Sequence, residues 1–302
     1  MSDNEHLTRS SRSSGAGSPD VWGVYEAATG SIQYLAACPE TGKAVLIDTV
    51  LNFDPASART STQSAERMLA LVEKNGLDLV RILDTHPHAD HMMASAWLRE
   101  LTGKPNGIGE KTCEIAGLWR DFYHLPDALR AETHFDTLFA DGDTFEVGNL
   151  TFRVMLSPGH TLGSVTYVSG DAAFAHDTLM SPDFGSARAD FPGGSARELW
   201  DSIQAILALP EKTRVFIGHD YGKDERTEPV WEATVAEHLA SNVHVKSGTS
   251  KEDFVRIREE RDATLSLPDR MLHALQVNLR GGALPEPEAD GNSYFKIPAN
   301  RF

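Results

Sequence analysis

The sequence predicts an α/β fold in which two β-sheets are flanked by helices. Residues 21–28, 31–39 and 43–50 are apolar segments punctuated by Gly or Pro, which is typical of three consecutive antiparallel strands. Further along, strand patterns alternate with helical patterns over short connections. The chain has 302 residues, enough for one large domain with decorated ends.

The remaining elements follow in chain order. Apolar residues with helical spacing cover 61–75, and the apolar strand LDLVRILDT then runs directly into His86. A helix is predicted over 89–102, before Gly103. Later strands are predicted at 144–147, 150–156, 164–168, 172–175 and 214–217. Later helices are predicted at 195–207, 230–243, 251–263 and 269–279.

Composition divides the chain into a lead-in, a body and a tail. Residues 1–19 are polar and rich in Ser and Gly, so we expect a disordered N-terminal segment. We expect residues 20–302 to form a single domain, with a helical annex from about residue 224 and a surface tail from about 281. The annex contains REERDA (258–263), whose alternating charges predict a solvated helix face.

Charge and cysteine content exclude several classes of function. Lys and Arg total 28 and Asp and Glu total 44, giving a formal charge of −16, which disfavours binding to nucleic acid or an anionic membrane. Two cysteines are too few for a disulfide framework. No apolar run reaches the ~18 residues that a membrane helix needs. We therefore expect a cytoplasmic protein that acts on a small molecule.

The strongest chemical signal is THPHADH, residues 85–91, which places His86, His88, Asp90 and His91 within six positions directly after an apolar strand. Imidazole nitrogens and carboxylate oxygens are ligands for divalent first-row metals. The alternative is a polar loop with coincidental histidines. Three histidines so close together, in a chain with 12, favour the metal site.

Three more strand ends carry residues of the same type. His160 in SPGHT follows the strand TFRVML, Asp177 in HDTL follows AAFA, and His219 in GHDY follows RVFI. Four strand ends therefore each deliver a metal-type ligand. This plan is common in active sites, because the sheet holds the ligands rigidly while the loops remain free for a substrate.

As a set, these motifs resemble the metallo-β-lactamase superfamily over roughly residues 21–221. The resemblance implies an αββα sandwich with the metal site at the edge of two packed sheets, and up to two ions. The implied ligands are His86, His88 and His160 for one ion, Asp90, His91 and His219 for the other, and Asp177 as the bridge.

Within the superfamily, the sequence is most similar to the glyoxalase II-like branch, and there to bacterial persulfide (sulfur) dioxygenases. The segments ARADF (187–191), LALP (207–210) and HDY (219–221) carry this closer resemblance. It implies one Fe(II) per chain on His86, His160 and Asp177, with His88, Asp90, His91 and His219 forming a second site or supporting the first. Two histidines and one carboxylate with open positions are typical of non-haem iron oxygenases.

The same resemblance implies roles for residues close to the ion. Arg188 and Tyr221 are implied in substrate binding, and Asp190 and Tyr221 in supporting the chemistry. One position departs from the family pattern, since His176 precedes Asp177 where Gly is usual. The sequence leaves open whether this imidazole adds a hydrogen bond or only packs.

We therefore expect an iron-dependent persulfide dioxygenase that oxidises a thiol persulfide of the glutathione type with O2 to sulfite and thiol. The alternative is a glyoxalase II-like hydrolase of glutathione thioesters, with one or two Zn or other divalent ions. Every ligand that the alternative requires is present, so ligand type leaves both open. The sequence also leaves open the identity of the thiol and the formation of a homodimer.

Overall fold

In the computed structural model, which describes residues 7–223 and 226–301, two sheets pack face to face and helices cover both outer faces. This confirms the predicted αββα sandwich. No helix within those residues is long and apolar enough to cross a membrane.

The first sheet has seven strands. In chain order they are β1 (Thr8–Ser11), β2 (Asp20–Glu26), β3 (Ser31–Ala37), β4 (Lys43–Ile47), β7 (Asp78–Leu83), β9 (Asn106–Gly109) and β10 (Thr137–Phe139). They lie side by side in that same order. The first four are antiparallel, and β7, β9 and β10 continue the sheet in parallel from β4.

The second sheet has six strands, which also lie in chain order. They are β11 (Thr144–Val147), β12 (Leu150–Leu156), β13 (Val165–Ser169), β14 (Ala172–His176), β15 (Arg214–Ile217) and β16 (Glu232–Thr234). Only β14 and β15 pair in parallel. A small third sheet joins β5 (Val50–Asp54), β6 (Arg59–Ser61) and β8 (Met92–Met93).

Eight helices complete the described part of the chain. They are α1 (Gln63–Lys74), α2 (Ser95–Thr102), α3 (Thr112–Tyr123), α4 (Ala131–His134), α5 (Ala196–Leu207), α6 (Val235–Ser241), α7 (Lys251–Asp262) and α8 (Met271–Asn278). α1, α2 and α8 share one apolar cluster with the outer face of the first sheet. α5 and α7 pack together against the second sheet.

Alternation along β3 shows how the layers form. Tyr34 faces the second sheet, where its ring meets the edges of Phe174 and Phe216 at centroid distances of 5.6 and 5.5 Å. Leu35 points to the opposite face and packs in the cluster that contains Met68 of α1. Successive side chains of a strand point to opposite faces, so a central strand covered on both sides is apolar throughout.

Parallel pairing places the chemically important loops at one edge. β4 and β7 run in parallel, as do β14 and β15, so the chain leaves each pair at the same end. The two sheets are joined there by a hydrogen bond of 2.8 Å from the Ile32 N–H to the Gly218 carbonyl. Residues that follow these four strands are therefore brought together.

The structure corrects three boundaries. Residues 8–11 form β1, so the expected disorder is wrong for them, because their backbone pairs with β2; residues 1–6 lie outside the described part. α2 begins at Ser95 rather than at 89, because the preceding residues form the loop that carries the histidines. The helix predicted over 230–243 begins at Val235, after β16, where Thr234 and Glu237 form a capping box.

Candidate metal centre

The seven ligand-type residues that the sequence predicts come together at this edge of the two sheets. His86, His88, Asp90 and His91 lie on the loop after β7, His160 follows β12, Asp177 follows β14, and His219 follows β15. We call these seven residues the metal centre. The histidines and Asp177 are all buried, and Asp90 is partly exposed.

Two histidine side chains of the centre lie close to the same carboxylate oxygen of a third residue, Asp177. Nε2 of His86 lies 3.6 Å from Oδ2 of Asp177, and Nε2 of His160 lies 3.7 Å from the same oxygen. Ligands of a tetrahedral ion with bonds near 2.1 Å are separated by roughly 3.4 Å. Two imidazoles and one carboxylate are therefore spaced almost as a shared ion requires.

The other ring nitrogens are tied to protein groups that fix each ring. Nδ1 of His86 lies 3.0 Å from the Thr85 hydroxyl, and Nδ1 of His160 lies 2.8 Å from the Arg188 carbonyl. Nε2 of His88 lies 3.0 Å from Oδ1 of Asp48. A ring that donates from one nitrogen presents the lone pair of the other, as metal-binding histidines do.

A second group lies beside the first. Nε2 of His219 lies 2.5 Å from Oδ2 of Asp90, and its Nδ1 lies 2.7 Å from Oδ1 of Asp177. Nδ1 of His91 lies 3.4 Å from Oδ1 of Asp90. The Ser31 hydroxyl links the two rings, at 3.1 Å from His91 and 2.9 Å from His219. Asp177 thus touches both groups.

Buried atoms without partners show that the centre fits a metal ion. Nε2 of His86, Nδ1 of His88 and Nε2 of His91 are buried and have no hydrogen-bond partner in the described part of the chain. Leaving such atoms unsatisfied is costly, and cations held by the two groups of the centre would satisfy them. Imidazole nitrogens and carboxylate oxygens suit Fe, Zn and Mn.

The protonation states also suit an ion. Burial lowers the pKa of His86 and of His88 well below the ordinary value, and neighbouring imidazoles lower it further. Burial raises the pKa of Asp90 and Asp177, but the adjacent His219 outweighs this effect and holds both well below their usual range. Neutral imidazoles and ionised carboxylates are the forms that bind metals.

Comparison with known families agrees with this geometry. The family model described as the metallo-beta-lactamase superfamily matches residues 33–219, which contain every residue of the metal centre. The chain belongs to the metallo-β-lactamase superfamily. Its members named below include metal-dependent enzymes of both hydrolase and dioxygenase type.

Individual relatives carry both kinds of name. A beta-lactamase hydrolase-like protein of Xylella fastidiosa is 53% identical over 93% of this chain, and the chain spans only 65% of that relative. Glyoxylase B2 of Dictyostelium discoideum is 39% identical, covering 93% of this chain and 96% of the relative. The mitochondrial persulfide dioxygenase ETHE1 of Bos taurus is 30% identical, covering 92% and 95%.

A solved structure supports the same fold assignment. The crystal structure of ETHE1 from Myxococcus xanthus superposes with a TM-score of 0.69 at 30% identity, covering 86% of this chain and 98% of that one. The similarity extends beyond the superfamily match at 33–219. It therefore includes part of the terminal segments that flank the metallo-β-lactamase core.

The residues predicted to act on substrate lie around the metal centre. The Arg188 guanidinium donates to both oxygens of Asp190, at 2.6 and 2.7 Å, and to the Ser266 carbonyl at 2.7 Å. Tyr221 stacks on the His219 ring at 5.6 Å, and its hydroxyl lies 3.4 Å from Asp90. The Tyr221 side chain is exposed to solvent. The Arg188 side chain forms an ion pair with Asp190.

A cavity of about 430 Å³ opens beside the centre. Asp90 and Tyr221 are among its lining residues, and Gly30 lets the Tyr221 ring lie close, because a Cβ at Gly30 would come within 2.9 Å of that ring. Arg270 also lines this cavity, and together with His91 it lines a second cavity of about 240 Å³. A small molecule can therefore approach the centre from this face.

Three supporting residues were missed by the sequence analysis. Asp48 directly follows β4. The ligands were predicted because each follows a strand, and the same criterion applies to Asp48. Ser31 carries no such signal. Asn278 comes from the far end of the chain and donates to the carbonyls of His88 and His91, at 2.7 and 2.8 Å. No local pattern in the sequence identifies a contact of that kind.

Proposed function

We propose that this protein is an Fe(II)-dependent persulfide dioxygenase that oxidises a thiol persulfide of the glutathione type. The observation that carries the proposal is the convergence of His86 and His160 on a single oxygen of Asp177. Two histidines and one carboxylate with open positions are typical of non-haem Fe(II) oxygenases. Similarity to the bovine persulfide dioxygenase supports it.

The proposed reaction is R–S–S⁻ + O2 + H2O → R–SH + SO3²⁻ + H⁺. The O–O bond breaks and both oxygens join the terminal sulfur, which loses four electrons to O2. A water oxygen then bonds to that sulfur as the S–S bond breaks, and the released thiolate takes a proton. Fe(II) would supply the redox chemistry that lets O2 react with the persulfide.

The protein's contribution is orientation and charge. His86 and His160 are fixed by the Thr85 hydroxyl and the Arg188 carbonyl, so their Nε2 atoms keep a constant direction. Arg188 uses three of its five N–H groups on Asp190 and Ser266, which leaves two for an anionic substrate. Arg270 offers a second guanidinium to the carboxylates of a glutathione-type molecule.

A hydrolase of glutathione thioesters is the second candidate. The observation that favours it is the second group, in which Asp90, His91 and His219 lie together beside Asp177. Two ions held there would lower the pKa of a water for attack on the thioester carbonyl. The names of the Xylella and Dictyostelium relatives agree with this alternative.

The deciding experiment loads the anaerobically purified protein with Fe(II) and records O2 uptake on adding glutathione persulfide. We expect about one O2 consumed and one sulfite formed per persulfide. The Zn-loaded protein is assayed in parallel with a glutathione thioester. Hydrolysis by the Zn form, with no O2 uptake by the Fe form, would contradict the dioxygenase. D177A is the control that loses metal and turnover together.

A further inference from the structure

Arg280 is a buried guanidinium that takes no part in the metal centre. It is 6% exposed, and it donates from Nη1 to the Gln276 carbonyl. In the part of the chain that the structure describes, its other four N–H groups form no hydrogen bond and no carboxylate lies within ion-pair distance. Burial lowers the pKa of the guanidinium, and Glu286 opposes only part of this effect. A buried charge without a partner is costly, and a bound anion would compensate it.

Two cavities, of about 640 and 690 Å³, have Arg280 among their lining residues. His134 also lines both. Its backbone carbonyl accepts from the Asn106 side chain at 3.2 Å, but its ring forms no hydrogen bond within the described residues. None of the seven residues of the metal centre lines either cavity, and neither does Arg270. The two cavities are therefore separate from the metal centre and from the cavities beside it.

The turn after α8 brings Arg280 close to His134. Gly281 has a φ of +64°, and a Cβ there would lie 2.9 Å from the His134 carbonyl oxygen. Glycine is needed at this position, because it alone combines a left-handed backbone with so close a contact. Burial lowers the pKa of His134, and the charge of Arg280 lowers it further. The ring is therefore neutral at pH 7 and offers one N–H near the guanidinium.

The cavity of about 640 Å³ also has an apolar lining. Four apolar side chains contribute to it: Leu125, Leu129, Pro285 and Phe295. Sites for small molecules typically have volumes of about 300–1,000 Å³ and combine apolar walls with a few polar groups that fix the orientation of the ligand. This cavity therefore suits a molecule that has a hydrocarbon part as well as an anionic group.

The charged residues that line this cavity favour a ligand with one negative charge. Arg280 is buried, whereas the other side chains that are charged at pH 7 are exposed: Asp127, Arg130, Glu286, Glu288 and Lys296. Water and salt screen exposed charges more than buried ones, so Arg280 dominates the attraction of an anion. The exposed carboxylates would disfavour an anion that carries several charges.

We propose that Arg280 and His134 form a binding site for a small organic acid with one carboxylate and an apolar body. The carboxylate accepts from the free N–H groups of Arg280 and from the ring N–H of His134. The hydrocarbon part packs against Leu129 and Phe295. This site goes beyond the proposed function, because it shares no residue with the metal centre.

The test is titration of the Zn-loaded protein with hexanoate in isothermal calorimetry. We expect one hexanoate to bind per chain, and R280Q to bind it at least tenfold more weakly. The matched control is R256Q, which removes an exposed guanidinium that pairs with Asp253 and Glu260 on α7 and should bind hexanoate as the wild type does. Equal affinities of R280Q and the wild type, or no binding to the wild type, would overturn the proposal.

Nuclear Overhauser effects from bound hexanoate locate it on the wild-type protein, so the proposal stays testable where R280Q does not fold. We expect contacts to the rings of His134 and Phe295. Contacts to Tyr221 instead would place hexanoate beside the metal centre and contradict the proposed site. Inorganic phosphate, which has no apolar body, should bind at least tenfold more weakly than hexanoate, and tighter binding of phosphate would contradict an organic acid as the ligand. These measurements use neither persulfide nor O2, so failure of the dioxygenase assay leaves their result intact.

Discussion

A single carboxylate, Asp48, orients the first ligand of the metal centre through a chain of hydrogen bonds. The Thr85 N–H and hydroxyl donate to its two oxygens, at 2.7 and 2.9 Å. Because the hydroxyl hydrogen is used in this way, the Thr85 oxygen accepts from Nδ1 of His86 at 3.0 Å. That bond fixes the ring with the lone pair of Nε2 toward Asp177, which is the state that a metal requires.

Replacing Asp48 by Asn tests this chain. An amide nitrogen facing Thr85 or His88 would place a donor against a donor and reverse the bonds that fix the rings. We expect D48N to bind Fe(II) or Mn(II) about 10–100-fold more weakly, as changes to the partners of metal-binding histidines typically do. Titration against a competing chelator measures this.

The control for that experiment is D54N. Asp54 is an exposed carboxylate that accepts from Ala56 and Ser57 in a surface turn. We expect its variant to bind the ion as the wild type does. Equal affinities of D48N and D54N would show that Asp48 does not orient the centre.

At the scale of elements, α8 forms hydrogen bonds to the loop that carries four of the ligands. Asn278, at its last position, is fully buried. Its side chain donates to the carbonyls of His88 and His91 and accepts from the Met93 N–H at 2.8 Å. A segment some 190 residues away in sequence thus holds the loop backbone in place.

We expect N278A to lower the free energy of unfolding of the metal-free protein by about 3 kcal/mol. Two buried carbonyls and one buried N–H would lose their partners, and each unsatisfied group costs about 1–3 kcal/mol. Urea denaturation measures the loss. N292A, which removes an exposed side chain bonded to Asp290, should change stability by less than about 0.5 kcal/mol; equal losses in the two variants would contradict the role of Asn278.

Elements with strong periodicity were predictable from sequence, and those that depend on tertiary contacts were not. The three strands from 21 to 50 and the helices α1, α5 and α7 were placed within a few residues, because alternating and helical patterns are local. The short strands β9 and β10 were missed, because NGIG and TLF carry too little pattern. Their pairing with β7 stabilises them.

The charge pattern of α7 predicted the wrong exposure for two of its residues. Alternating charges in REERDA predicted solvent exposure, but Arg258 and Asp262 are buried and paired at 2.7 Å. Arg258 also donates to the Ser186 carbonyl at 3.0 Å, and Asp262 accepts from the Ala189 N–H at 2.9 Å. The prediction was wrong for these two residues because the partner segment is distant in sequence.

At the scale of the whole molecule, the C-terminal helices and the second sheet jointly enclose the metal centre. The segment from 186 to 189, which carries Arg188, is held by Arg258 and Asp262 of α7 and by His244, whose Nδ1 accepts from the Ser186 N–H at 3.1 Å. The ligand types and their strand-end positions were predictable from sequence, since each is a local motif. Distances between loops were not, since they depend on how the sheets pack.

The same C-terminal region makes stability depend on pH. His238 of α6 is fully buried, and its Nδ1 lies 3.1 Å from the Asn242 amide nitrogen, which donates to it. Burial lowers the pKa of His238 to about 4, from about 6.5 in an unfolded chain. Between pH ~4 and ~6.5 the unfolded state binds more protons than the folded state, because only the unfolded imidazole is then protonated. The free energy of unfolding therefore keeps its full value above pH ~6.5 and decreases as the pH falls toward ~4.

We expect the free energy of unfolding of the metal-free protein to fall by about 2 kcal/mol more between pH 7 and 5 in the wild type than in H238Q, which has no imidazole to protonate. Urea denaturation at both pH values, with a chelator present, measures the difference. H124N removes an exposed imidazole at a left-handed position that Asn tolerates, and it should keep the pH dependence of the wild type. Because H238Q keeps every other histidine of the wild type, a pH dependence of H238Q equal to that of the wild type would show that burial of His238 does not couple protonation to unfolding.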